Sequence, residues 1–136
     1  MADRHENTAL HLTGFDHLVL RCADVETTLA WYVDTLGLAP VRVDEWRRGT
    51  APFPSVRVSP ETIIDLVPAA DGVRGRNVDH FCLVADRATV DAIAADPERF
   101  QQSEEGGVRF GAQGDGWSVY VFDPDGNVVE IRSYDR

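Results

Sequence analysis

A chain of 136 residues with 43% hydrophobic and 26% charged side chains has the size and composition of one globular domain. Its formal net charge of −10, from 13 basic against 23 acidic residues, argues against nucleic acid as a partner, because phosphate contacts need clustered Lys and Arg. No apolar run approaches the ~20 residues of a membrane span, and two cysteines, Cys22 and Cys82, are too few for a disulfide scaffold.

The opening MADRHENTALHLTG lacks the charged-then-apolar order of a secretory signal. It predicts a cytoplasmic protein with an N-terminal arm over 1–14 and a single domain over 15–136. Phe15 to Arg21 alternates and is rich in β-branched and aromatic residues, as a strand is. Asp24 is then a plausible N-cap, with Glu26 at the positive end of a helix whose Val25, Leu29, Tyr32, Val33 and Leu36 share a face. Gly37 ends it. Strands follow near Ala39 to Glu45, Ser55 to Val58 and Glu61 to Val67, with Gly- and Pro-rich loops between them. Val78 to Ala85 predicts a further strand, Asp86 to Ala95 a helix, and weaker strands lie near Val108, Ser118 to Phe122 and Asn127 to Arg132. Asp123-Pro124-Asp125-Gly126 predicts a tight turn that makes the last pair a hairpin. Cys22 and Cys82 fall in the apolar strands and are read there as small hydrophobes.

The chain is internally repetitive. Phe15-Asp16-His17-Leu18-Val19-Leu20 matches Val78-Asp79-His80-Phe81-Cys82-Leu83, and Thr62-Ile63-Ile64-Asp65-Leu66-Val67 matches Asn127-Val128-Val129-Glu130-Ile131-Arg132. Each copy, about 15–70 and 78–134, has the order β-α-β-β-β. Units of roughly 55–60 residues bury too little surface to stand alone, so the copies are expected to share a core or sheet, with concave faces lining one cleft. Side chains two apart on a strand share a face. His17 therefore lies with Val19 and Arg21, Asp65 with Ile63 and Val67, and Glu130 with Val128 and Arg132, while Asp16, Leu18 and Leu20 point to the helix side. Inward carboxylates on apolar strands cost several kcal/mol unless partnered. A divalent cation held by two imidazoles and one or two carboxylates answers that cost, and the donor types admit Zn, Ni, Co, Mn or Fe(II).

The stretches DHLVLRCADVETTLAWYVDTLGL, VDHFCLVAD and SVYVFDPDGNVVEIRS resemble the paired β-α-β-β-β modules of the vicinal oxygen chelate superfamily, which includes glyoxalase I, methylmalonyl-CoA epimerase, extradiol dioxygenases and fosfomycin-resistance enzymes. The resemblance runs from Phe15 to Tyr134. It implies an α+β fold, two βαβββ modules in tandem forming a curved mixed sheet around a metal-binding cleft. It also implies His17, His80 and Glu130 as metal ligands, with a fourth position falling on Asp65, where Asp departs from the usual Glu or Gln and its shorter reach leaves a water-bridged contact open.

The resemblance further implies a homodimer and a small-molecule substrate that chelates the metal through adjacent oxygens. With Asp65 in the ligand set, a lyase or isomerase of the glyoxalase type is expected, with Asp65 or Glu130 as the base. With Asp65 turned away, the remaining three donors suit Fe(II) and an extradiol dioxygenase. A fosfomycin-type transferase or hydrolase is the next alternative, since Tyr120 occupies the place of a substrate-pocket tyrosine. Arg21 and Arg132, beside the donors, are the other candidates for substrate contact. A metal-free binding protein of the bleomycin-resistance type would instead use aromatic walls, for which Trp46, Phe53, Phe110 and Trp117 are available. The loop Trp46 to Pro54, with Arg47 and Arg48, is expected to overhang the cleft.

Overall fold

The protein is described here by a computed structural model covering residues 13–69 and 77–135. Most of the expected N-terminal arm, and most of the connection between the repeats, lies outside the described residues. The first repeat forms β1 (His17–Cys22), α1 (Val25–Ala30), β2 (Ala39–Val41), α2 (Val43–Arg47), β3 (Ser55–Ser59) and β4 (Thr62–Pro68). The second forms β5 (Phe81–Val84), α3 (Arg87–Ala94), β6 (Gln102–Gly111), β7 (Gly114–Phe122) and β8 (Val128–Ser133). Among these residues no helix is long and apolar enough to cross a membrane.

The helix starts follow from capping. Asp24 accepts from the backbone N–H groups of Glu26 and Thr27, and Asp86 from that of Thr89, so each aspartate satisfies donors that a helix start leaves open. α1 continues through a π-helical turn at Trp31–Thr35, and Gly37, at φ 77°, closes it. The strand expected to run to Glu45 stops at Val41. Arg42 adopts φ 58°, outside the β region, and Asp44 and Glu45 then occupy the first turn of α2 with Arg47 in its last, a charge order that suits the helix dipole.

Each repeat makes its own four-stranded sheet, ordered β1-β4-β3-β2 and β5-β8-β7-β6, in which the first strand lies parallel to the last and the others are antiparallel. The expected α+β architecture of two βαβββ modules in tandem is thus present, each module contributing its own four-stranded mixed sheet. One apolar cluster joins them: Leu20, Val56, Ile64 and Leu66 of the first repeat and Val90, Val119, Val121, Val129 and Ile131 of the second belong to the same core. Because alternate side chains of β1, β3, β4, β5, β7 and β8 enter that shared core, the opposite faces of the two sheets look outward.

A polar latch fixes the repeats to one another. The DPDGN turn of the second repeat reaches the start of α1 in the first: Ala23 N–H donates to Asp125 at 2.8 Å, the Thr28 hydroxyl donates to the same carboxylate, and the Tyr32 hydroxyl donates to Asp123 at 2.8 Å. Asp123 is itself held by the Asn127 backbone N–H and side-chain amide, and Gly126, at φ 78°, takes the turn position that disfavours a Cβ. Burial, with Asp123 beside it, pushes the Tyr32 hydroxyl pKa far up, so it remains a donor at any physiological pH. Tyr32→Phe is expected to lower unfolding free energy by about 1–3 kcal/mol, since a buried bond to a charged acceptor is lost without a change of shape. Urea denaturation checks this through a lower midpoint at unchanged slope.

Candidate functional site

The two outward faces carry the same constellation. On the first sheet the register sets Val19 opposite Asp65, two residues beyond His17, and on the second it sets Cys82 opposite Glu130, two residues beyond His80. Each acid thus lies diagonally from its histidine on the neighbouring strand. His17 Nε2 is 3.9 Å from Asp65 Oδ2, and His80 Nε2 is 3.3 Å from Glu130 Oε1. The histidines are half exposed at 47% and 41% of the side chain, while the acids are nearly covered at 9% and 5%.

The second ring nitrogen of each histidine is also accounted for. His17 Nδ1 lies 2.7 Å from Asp16 Oδ2, and His80 Nδ1 lies 2.7 Å from Asp79 Oδ2. Asp16 does not point to the helix side, as continuous strand alternation would have it. It precedes the first residue of β1, is 86% exposed, and turns to the imidazole instead. A carboxylate at Nδ1 fixes the proton there and leaves Nε2 as the lone-pair nitrogen of the neutral ring. The Asp16 hydrogen bond raises the His17 pKa, against a smaller opposing effect of burial and with help from Asp65.

Each buried acid has one oxygen tied down and one left facing its histidine. Ser55 Oγ donates to Asp65 Oδ1 at 2.6 Å. Ser118 Oγ at 2.7 Å and Arg132 Nη2 at 2.8 Å both donate to Glu130 Oε2. Burial would push the Glu130 carboxyl up, but the bonds from Ser118 and Arg132 and the charges of Arg132 and His80 hold it below its ordinary value.

The four proposed donors therefore form two pairs, one per sheet. Convergence of all four within one chain is not what the described residues show: no three His, Cys, Asp or Glu side chains lie close enough together to hold one ion. The cause is the shared core, which lies behind both donor faces.

Of the remaining candidates, Tyr120 is placed at the site: it is buried and its ring meets that of His80 edge-on at 6.0 Å. Burial, followed by the Glu130 charge, raises its hydroxyl pKa. Arg132 shares the face but is only 4% exposed, and its guanidinium is engaged by Glu130, the Phe110 carbonyl and Tyr134, so it holds Glu130 and is not free for a ligand. Arg21 lies at the seam between repeats, its Nε 3.2 Å from Asn77 Oδ1. The loop arginines do not reach the site: Arg47 pairs with Glu26 of α1 at 2.7 Å and Arg48 lies 3.9 Å from Glu45.

The four aromatics do not make a common wall. Trp46 packs on the core, Phe53 lies under Arg42, and Phe110 and Trp117 are exposed on the other side of the second sheet, where Arg87 covers Trp117. Cys22 is buried as expected, with its thiol pushed up to about 12 chiefly by burial. Cys82 is exposed, on the His80 face.

Asp16, Asp79, Ser55 and Ser118 are site residues that periodicity does not single out. The repeated Asp-His dipeptide carried a signal for the first two. The serines become visible only through strand register.

Residues 14–131 match the profile described as the Glyoxalase/Bleomycin resistance protein/Dioxygenase superfamily. The chain belongs to that superfamily. It is 29% identical over 132 residues to virulence protein STM3117 of Salmonella typhimurium, a match covering 96% of this chain and 90% of that one. A solved integron cassette protein from the mobile metagenome of V. cholerae is similar at TM-score 0.73 and 29% identity, covering 94% of this chain and all of the other. The lactoylglutathione lyase of Agrobacterium tumefaciens shares the superfamily fold at TM-score 0.63 and 23% identity, over 90% of this chain and 95% of that one.

Proposed function

We propose that this superfamily member is a divalent-metal-dependent lyase or isomerase of the glyoxalase type, active as a homodimer on a small substrate with two adjacent oxygens. The observation that carries the reading is the doubled arrangement of a histidine with Nδ1 held by the preceding aspartate and Nε2 facing a covered carboxylate oxygen. Two imidazole nitrogens and two carboxylate oxygens are the donor set that Zn, Ni, Co, Mn or Fe(II) accepts. In this proposal His17 and Asp65 of one copy face His80 and Glu130 of a second. β1, which begins at His17, and β5, which His80 immediately precedes, are both sheet edges, and Phe15 just before β1, Val19 and Val84 are exposed there, as surfaces awaiting a partner are.

When bound, the ion supplies Lewis-acid stabilisation to a substrate held through vicinal oxygens. The protein's own residues divide the remaining tasks. Glu130, with one oxygen fixed by both Ser118 and Arg132, is suited to be a rigid ligand. Asp65, with a single donor from Ser55 and the longer distance to its histidine, is suited to take and return the proton beside the substrate carbonyl. The same longer distance favours a second reading, in which Asp65 stands outside the donor set and the other three serve Fe(II) in ring cleavage.

Metal analysis of the purified protein, followed by assays with each metal on methylglyoxal–thiol adducts, catechols and fosfomycin, tests these readings. Turnover of the thiol adducts supports the first, catechol cleavage only with Fe(II) replaces it by the second, and failure to bind any of these metals sinks both. Asp16→Ala and Asp79→Ala are each expected to weaken metal affinity by about 10–100-fold, the usual effect of removing a carboxylate that orients a ligating histidine. Competition against a chromophoric chelator reads that loss directly.

A further inference from the structure

Beyond the donor pairs, the outward face of the second sheet carries a guanidinium that no carboxylate of the described residues neutralises. Arg109, on β6, pairs in register with Gly116, and Tyr120 pairs with Glu130, so Arg109, Ser118, Tyr120 and Glu130 share the face of His80. The Arg109 side chain folds back along its own strand. Its Nη1 donates to the Val108 carbonyl at 2.9 Å and its Nη2 to the Glu105 carbonyl at 3.2 Å. This brings its Cζ to 5.9 Å from the Tyr120 ring centroid, on a ring whose other contact is His80. Gly107 permits the fold-back: a Cβ there would stand 2.9 Å from Arg109 Nη1, on a backbone at φ 155°.

In a chain of net charge −10, Arg47, Arg87 and Arg132 each pair with a carboxylate. Arg109, like Arg42, Arg57 and Arg99, spends donors on backbone carbonyls instead, and of these four it is the one on the His80 face, where Glu104 lies opposite Tyr120. Two of the Arg109 N–H donors are used on carbonyls, which leaves three of the five, with no carboxylate of the described residues in ion-pair contact. A fixed guanidinium with free donors fits a carboxylate in fork geometry.

We propose that Arg109 is the receptor for a substrate carboxylate, so that the substrate carries an anionic tail set off from its two chelating oxygens by the breadth of the Tyr120 ring. The proposal rests on the metal reading above and narrows it to acidic substrates.

Three hydroxamates test it on the Zn(II)-loaded protein by calorimetry: acetohydroxamate, which offers two vicinal oxygens alone, succinic monohydroxamate, which adds a carboxylate, and its terminal-amide isostere. The carboxylate compound is expected to bind about tenfold more tightly than the amide, the scale of one charge-assisted pair. In Arg109→Gln the two are expected to agree within about twofold, with acetohydroxamate affinity and melting temperature unchanged, and Arg109→Lys should keep part of the preference. Equal binding of acid and amide by the parent protein, or a preference that survives in Arg109→Gln, overturns the carboxylate assignment and leaves the metal site standing. Failure of acetohydroxamate to bind the metal-loaded protein overturns the metal reading and this proposal with it.

Discussion

Arg132→Met is expected to destabilise the protein by about 3–5 kcal/mol, the cost of leaving a covered carboxylate without its partner. Arg132 and Glu130 are 4% and 5% exposed at the side chain and bonded at 2.8 Å, and Arg132 also supplies a donor to the Phe110 carbonyl. In a domain of this size the loss corresponds to a melting temperature lower by roughly 10–20 °C. The source of the loss can be isolated. Glu130→Leu combined with Arg132→Met removes both charges and is expected to recover most of the stability, because replacing a covered ion pair by apolar groups is often close to neutral. If the double variant is as unstable as the single one, packing of the arginine is the cause and not its charge.

The pH dependence has a definite sign. The folded-state pKa of Glu130 is lowered, so its interactions contribute stability that is present above the unfolded value of about 4.3 and is lost as pH falls through the folded value. In Arg132→Met the part of that contribution owed to Arg132 is absent, while the Ser118 bond and the His80 charge remain. The gap between parent and single variant should therefore be full near neutrality and narrow below about pH 4.5. Denaturant melts across this range provide the measurement, and a gap that widens in acid would assign the loss elsewhere.

The pairing of each candidate histidine with an acid was legible in the sequence because two independent regularities coincide at these residues. Strand alternation put His17, Asp65, His80 and Glu130 each on one face, and the duplication put them at equivalent places in two copies. Helix starts were legible for a local reason, since Asp24 and Asp86 satisfy only donors within three residues. What alternation cannot supply is which body covers a face. The side chains that share a face follow from the chain itself, but the fusion of both helix-side faces into one core depends on contacts such as Tyr32 to Asp123, which join residues 91 apart. For that reason one cleft was expected and two outward faces are found. The end of β2 failed for a different cause: Val41 to Glu45 has strand-like composition, and only the left-handed turn at Arg42 diverts it.

Two inactive variants are expected to restore metal binding and activity when mixed, if the site is shared between copies. His17→Ala with Asp65→Ala removes the donor pair of the first sheet, and His80→Ala with Glu130→Ala removes that of the second. Each variant alone assembles sites that all lack two of four donors. In a mixed dimer one site takes both damaged faces, while the other takes both intact ones. Random reassortment of equal amounts makes about half of the dimers mixed, so about a quarter of all sites should return, against near zero for either variant alone. A site contained in one chain predicts no recovery at any mixing ratio, since neither variant retains a complete donor set. Denaturing and refolding the two together, then counting tightly held Zn(II) per chain, separates the cases without a known substrate. Recovery of metal also requires that the edges at β1 and β5 meet across the dimer, because His17 begins the first of these strands and His80 immediately precedes the second. A charged residue introduced at Val84, which is 65% exposed beside that edge, should then lower both dimer formation and zinc content while leaving the monomer's own fold intact.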